Sequence, residues 1–90
     1  MNKYVFLRFD GAFVPFKTHD TTTVVLDESS VSVQSEMDNF VIASFGFDTA
    51  AEAAAAHPKI IDLLTQDLKA AYASPGGIEI IILDDYKDRI

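Results

Sequence analysis

The chain contains no cysteine and no tryptophan. Without cysteine there is no disulfide, no thiolate nucleophile and no thiolate metal site. Only two histidines occur, His19 and His57. They lie too far apart to show the spacing of a metal-ligand pair, so no metal or other cofactor is expected. No serine stands in a Gly-x-Ser-x-Gly setting, so a nucleophile elbow is excluded. Basic residues are scarce: seven Lys and Arg face 14 Asp and Glu, a net charge of −7. Direct nucleic-acid binding needs clustered cations for phosphate contacts and counterion release, and these scattered residues supply no cluster. No apolar run approaches the roughly 20 residues of a membrane span. Strand-like sequence begins at Lys3 and leaves no room for a signal peptide. The expectation is a cytoplasmic protein with no membrane partner.

What is present is globular in character. The 90 residues are 49% apolar and 23% charged, which points to a single domain over residues 1–90 with one modest core. All seven Phe precede Asp48, so aromatic weight sits in the strand-rich part. Residues 1–45 carry three basic and six acidic groups, and residues 46–90 carry four and eight. The acidity is therefore spread over both halves. It keeps a small domain soluble. The sharper reading is an acidic surface that meets a basic partner, in the manner of a nucleic-acid mimic.

The stretch from Asp48 to Ser74 is the clearly helical part. Thr49 and Glu52 have capping-box spacing. Ala50 to Ala56 is almost all alanine, which favours helix and close approach. Pro58 lacks the N–H that would bond Ala54 and disfavours helix at His57. This predicts two segments, about 49–56 and 58–73, with a kinked single helix as the alternative. In the second segment Ile61, Leu64, Leu68, Ala71 and Tyr72 form an apolar stripe flanked by Ile60. Ser74-Pro75-Gly76-Gly77 ends it, with glycine available for a left-handed cap.

Strands are predicted on both sides. KYVFLRF (3–9) and AFVPF (12–16) flank Asp10-Gly11, a type I′ hairpin signal. Pro15 argues for an edge there. TTTVVLD (21–27) and VSVQS (31–35) flank the DESS turn, with Val31 and Val33 inward. FVIASFGF (40–47) and IEIIIL (78–83) follow, and DDYKDRI (84–90) is a charged tail with Tyr86 and Ile90 as anchors. The order of hairpin, further strands, helix and strand implies α+β: an antiparallel-rich sheet of about five or six strands with one broken or kinked helix packed on one face.

Three strands (3–9, 40–47 and 78–83) are apolar on both faces and want cover on both sides. One helical layer cannot supply it. The remaining cover is either a curved sheet that folds over itself or a second copy of the protein, and a homodimer is the favoured expectation.

Chemistry-bearing candidates are few. His19 beside Asp20, and His57 at the helix break, are candidate ligand or proton sites, although a solvated loop and a joint-filling residue describe them as well. Three acidic groups, Asp27-Glu28, Glu36 with Asp38, and Asp84-Asp85, are the candidate contacts for a basic partner. Asp84, Asp85 and Asp88 lack the spacing and glycine of a calcium loop. In size, acidity and lack of catalytic signatures the chain is similar to many small phage or mobile-element proteins, some of which block host machinery; that likeness rests on no motif.

Three functions compete. The first is a small protein-binding or inhibitory module, acting as a homodimer and not as an enzyme. The second is a small-ligand-binding or accessory enzyme protein, with a pocket between the Ala-rich helix and the aromatic strands. The third is a structural assembly subunit.

Overall fold

The computed structural model describes residues 3–16, 22–35 and 40–90. Strand β1 (Tyr4–Phe9) and strand β2 (Ala12–Phe16) form the expected hairpin. Its turn residues Asp10 (φ 51°) and Gly11 (φ 80°) both take positive φ, as a type I′ turn requires. Strand β3 (Thr22–Asp27), β4 (Ser30–Ser35) and β5 (Val41–Gly46) form an antiparallel meander. Helix α1 (Ala50–Ala73) follows, then strand β6 (Ile78–Ile82) and the short helix α2 (Tyr86–Arg89).

The α+β class read from the sequence holds, with six mostly antiparallel strands and one long helix packed against them. The strands divide into two sheets of three, ordered β2-β1-β6 and β3-β4-β5. Sequence neighbours pair within each sheet except at β6. After the helix the chain returns to the far side of β1 and runs parallel to it, with Phe6 beside Ile80. Pro15 lies on the edge strand β2, where a missing ladder donor is tolerated.

Alternation places Val5 and Leu7 of β1 inward with Ile81 of β6. From the second sheet Val31, Val33 and Phe45 meet them in one core. A bulge breaks the phase of β5: Val33 pairs with Ala43, but Gln34 pairs with Val41. Ile42 is thus the extra residue, and Ile42 and Ala43 are both buried. Uniform alternation would put Ile42 on the same face as Phe40, which is exposed.

Helix α1 starts where the caps place it, with the Thr49 hydroxyl accepting from the Glu52 N–H at 3.1 Å. The two-segment expectation gives way to one helix that runs through Pro58. Loss of one backbone bond costs about 3 kcal/mol. Ala53 and Ala56 before the proline, and Ile60 and Leu64 after it, are buried in the same core, and that shared packing holds the helix together. Ile60, fully buried, is the centre of the stripe, while Ile61 is exposed. The helix ends at Ser74 in an extended conformation, its N–H bonded to Ala70 O at 3.0 Å. Positive φ among the described glycines is confined to Gly11, so Pro75 stops the helix without a left-handed glycine cap. No helix among the described residues is long and apolar enough to cross a membrane.

Candidate functional site

The outward positions of the first sheet are Tyr4, Phe6 and Arg8 of β1, Phe13 and Pro15 of β2, and Ile78, Ile80 and Ile82 of β6. The register sets them side by side: Tyr4 next to Ile78, Phe6 between Pro15 and Ile80, and Arg8 between Phe13 and Ile82. Their exposure is high for apolar side chains, at 56% for Tyr4, 54% for Phe13, 66% for Ile78, 50% for Ile80 and 45% for Ile82. Half-exposed side chains of this size leave on the order of 500 Å² of contiguous apolar surface, within the range of functional patches. Arg8 is the one charge among these positions. Its guanidinium lies 5.6 Å from the centroid of the Phe13 ring, a cation–π contact. Its Nε has no hydrogen-bond partner among the described residues.

The outward positions of the second sheet are different in kind. Val25, Ser32 and Ser44 form one row, and Thr23, Gln34 and Val41 another. Gln34 Nε2 donates to Ser32 Oγ at 3.1 Å. Four of these six positions are polar, and Val25 and Val41 are the apolar ones.

The acidic residues named from sequence have several fates. Asp27 and Glu28 are exposed at the β3–β4 turn, with Glu28 at φ 51°. Asp84 accepts the Asp10 N–H at 3.0 Å and so ties the β1–β2 turn to the end of β6. Asp85 is exposed at the start of α2 and makes no side-chain capping bond. Two hydrogen bonds gather these turns at one end of the molecule. Phe47 N–H bonds Ser29 O at 2.8 Å, and the Lys87 ammonium bonds Gly46 O. Glu36, Asp38, His19 and Asp20 lie outside the described residues.

His57 is half-buried, with Nε2 at 2.8 Å from Val24 O. A carbonyl only accepts, so Nε2 is the donor. The ring seals an edge carbonyl of β3, which fits the joint-filling description of this residue.

One cluster escaped the sequence reading. Tyr86 is fully buried and stacks on Phe45 at 6.4 Å and 7°. Phe45 in turn meets Phe9 edge-on at 5.5 Å. The Tyr86 hydroxyl donates to Asp67 Oδ2 at 2.7 Å, and Arg89 Nη1 donates to the same oxygen at 2.9 Å. Burial, then the bond to Asp67 and its charge, push the Tyr86 hydroxyl well above its ordinary pKa. Burial raises the Asp67 pKa, but the Arg89 and Tyr86 bonds and the Arg89 charge outweigh it, and the net shift is downward. The cluster locks α2 to α1. Its signal was an acid within the apolar stripe: Asp67 follows Ile60 and Leu64 at helical spacing and precedes Ala71.

A shallow groove of about 330 Å³ lies between the Ala-rich part of α1 and the end of the chain, lined by Phe47, Glu52, Ala55, Ala56, Lys59, Lys87 and Ile90. The Lys87 ammonium stands 4.9 Å from the Phe47 ring centroid. Among the described residues no group of His, Asp and Glu is placed to hold a metal ion.

No protein-family model, no curated protein and no solved structure matches this chain.

Proposed function

We propose that the chain is a small acidic protein-binding or inhibitory module that works through protein–protein contacts as a homodimer. Its contact surface is the outer face of β2-β1-β6. One observation carries this reading: a contiguous field of Tyr, Phe and Ile, each about half exposed, on a chain of net charge −7. Exposed apolar fields of this size mark interaction sites, since their exposure to water is unfavourable. The acidic turns at one end, Asp27 with Glu28 and Asp84 with Asp85, add a surface for a basic partner. The Asp84 bond to Asp10 makes that residue the less available of the set.

Sedimentation velocity over 5–500 µM tests the reading, with wild type compared against Phe13→Asp and Ile80→Asp. Concentration-dependent association that Ile80→Asp weakens, with unchanged circular dichroism, is the expected result; a loss with Phe13→Asp as well places the whole face in the contact. A wild type that stays monomeric and binds no hydrophobic dye at this face contradicts it.

A second reading, a small-ligand binder, draws on the Ala55–Ala56–Phe47 groove. Its two lysines suit a small carboxylate with an apolar body. A thermal-shift screen of such acids tests it, and no shift in Tm at millimolar ligand removes it.

A further inference from the structure

The backbone of β6 is half unused. Leu83 N–H bonds Arg8 O at 2.9 Å, and Tyr4 N–H bonds Gly77 O at 2.9 Å. In a strand, the N–H and C=O of one residue point to the same side and those of the next residue to the other. Residues 77, 79, 81 and 83 therefore turn their peptide groups toward β1. Ile78, Ile80 and Ile82 turn theirs to the free edge of the sheet, because β6 is the terminal strand in the order β2-β1-β6. No described residue bonds to them there.

Bare edges of this kind are usually blunted by a lysine, a proline, a bulge or a covering loop. Strand β6 reads Ile-Glu-Ile-Ile-Ile and pairs with β1 without a register shift, and among the described residues the one such device is an inward-pointing charge. Its one charge, Glu79, is turned inward, where it accepts from Ser74 Oγ at 2.5 Å and lies 3.9 Å from Lys3 Nζ.

We infer that this edge pairs with β6 of a second copy, antiparallel, about a two-fold axis at Ile80. The inference rests on the protein-binding reading above and supplies its geometry. Three observations favour a second copy as the occupant. First, the free donors and acceptors are symmetric about Ile80. A two-fold there sets Ile80 on Ile80 and Ile78 on Ile82, so every outward N–H meets an outward C=O. Second, the unpaired charge of the edge lies at one end. At the other end the Lys3 ammonium sits on the carbonyls of Ser74 and Gly76 and is paired with Glu79, while Asp84 and Asp85 follow Leu83. Antiparallel self-pairing keeps the two acidic ends apart, and parallel pairing brings them together. Third, the pairing is continuous with the apolar face. It joins two three-stranded sheets into one of six strands and turns two apolar patches of on the order of 500 Å² into a single platform for a further partner.

Ile80→Pro is the diagnostic variant. The Ile80 N–H bonds no described residue, so proline removes the edge donor without breaking a ladder bond, and Ile80→Ala, which trims the side chain and keeps the donor, separates the two effects. Each dimer loses two hydrogen bonds, and association weakens at least about tenfold with the folded spectrum retained. Hydrogen exchange on the wild type gives a second readout independent of any variant: the Ile80 amide is protected at 500 µM and exchanges freely at 5 µM. If Ile80→Pro dimerises like wild type while Phe13→Asp does not, the copies meet face to face; the edge inference is overturned and the protein-binding reading stands. If wild type is monomeric throughout and the Ile80 amide is always free, the edge is not a self-interface.

Discussion

Two three-stranded sheets in this molecule share a core and differ on their outer faces. The outward rows of β3-β4-β5 are Thr23, Gln34 and Val41, then Val25, Ser32 and Ser44. Those of β2-β1-β6 are Pro15, Phe6 and Ile80, then Phe13, Arg8 and Ile82, with Tyr4 beside Ile78. Strand length and pairing do not explain the difference. A sheet with one solvated face needs alternation of apolar and polar residues, and the second sheet keeps it in β4 and at Ser44, with Val25 and Val41 as departures. The first sheet breaks the rule on its outer side alone. The core does not require that departure from local consistency, and the proposed contact surface rests on it.

The comparison is broken most severely at Ile80. Ile80→Asp places a carboxylate in the middle of the apolar face and weakens self-association at least about 30-fold, the loss of a hot-spot residue of 2 kcal/mol or more. Because Ile80 is half exposed, stability to urea changes little. Sedimentation and urea titration on the same sample separate the two effects.

Next in size is a control that strikes the interior and spares both faces. Tyr86→Phe leaves Asp67 without one donor and costs about 1.5–3 kcal/mol of folding stability, with self-association unchanged per folded molecule. The pH dependence follows from the same cluster. The Tyr86 pKa is raised on folding, so its contribution is complete below the ordinary tyrosine value of about 10 and is lost as pH rises beyond it. The Asp67 pKa is lowered, so its contribution is present above the usual carboxylate range and is lost as pH falls through the folded value. Urea midpoints from pH 2 to 11 should show Tyr86→Phe without the alkaline decline and Asp67→Asn without part of the acid one.

A smaller effect is expected at the β3–β4 turn. Glu28 holds φ 51°, a conformation that costs a residue with a Cβ about 1 kcal/mol. Glu28→Gly relieves it and raises stability by up to about 1 kcal/mol. If the acidic turn also meets a basic partner, the same variant binds that partner less tightly while folding better.

The smallest effect completes the contrast. Ser44→Asp, on the outer face of the second sheet, changes stability by less than about 0.5 kcal/mol and leaves association unaltered. An effect on association comparable with that of Ile80→Asp would erase the distinction between the faces.

The hairpin at Asp10-Gly11, the inward Val31 and Val33, the edge placement of Pro15 and the shortage of cover for the first and last strands were legible in the sequence. They depend on local chemistry or strict alternation. What was not legible depends on packing between distant residues. The bulge at Ile42 answers to pairing with β4, which a strand read alone does not reveal. Continuity of α1 through Pro58 comes from Ala53, Ala56, Ile60 and Leu64 sharing a core that outweighs one lost hydrogen bond. The parallel return of β6 to β1 and the division into two sheets are choices of topology. The Asp67–Tyr86–Arg89 cluster needed the fold to bring a helix and the end of the chain together. Of the residues named for contact, Asp84 is occupied in a structural bond and His57 seals a strand edge, while Asp27 and Glu28 stand exposed.

Methyl NMR of the isoleucines provides the most direct test of the central claim, that the outer face of β2-β1-β6 is the contact surface. Spectra are taken across the dilution range over which sedimentation shows association. The δ1 methyls of Ile78, Ile80 and Ile82 should shift together with the dimer fraction, while the methyls of Thr23 and Val25 stay fixed. Association that moves Thr23 and Val25 and leaves the three isoleucines still, or no association at any concentration, would contradict it.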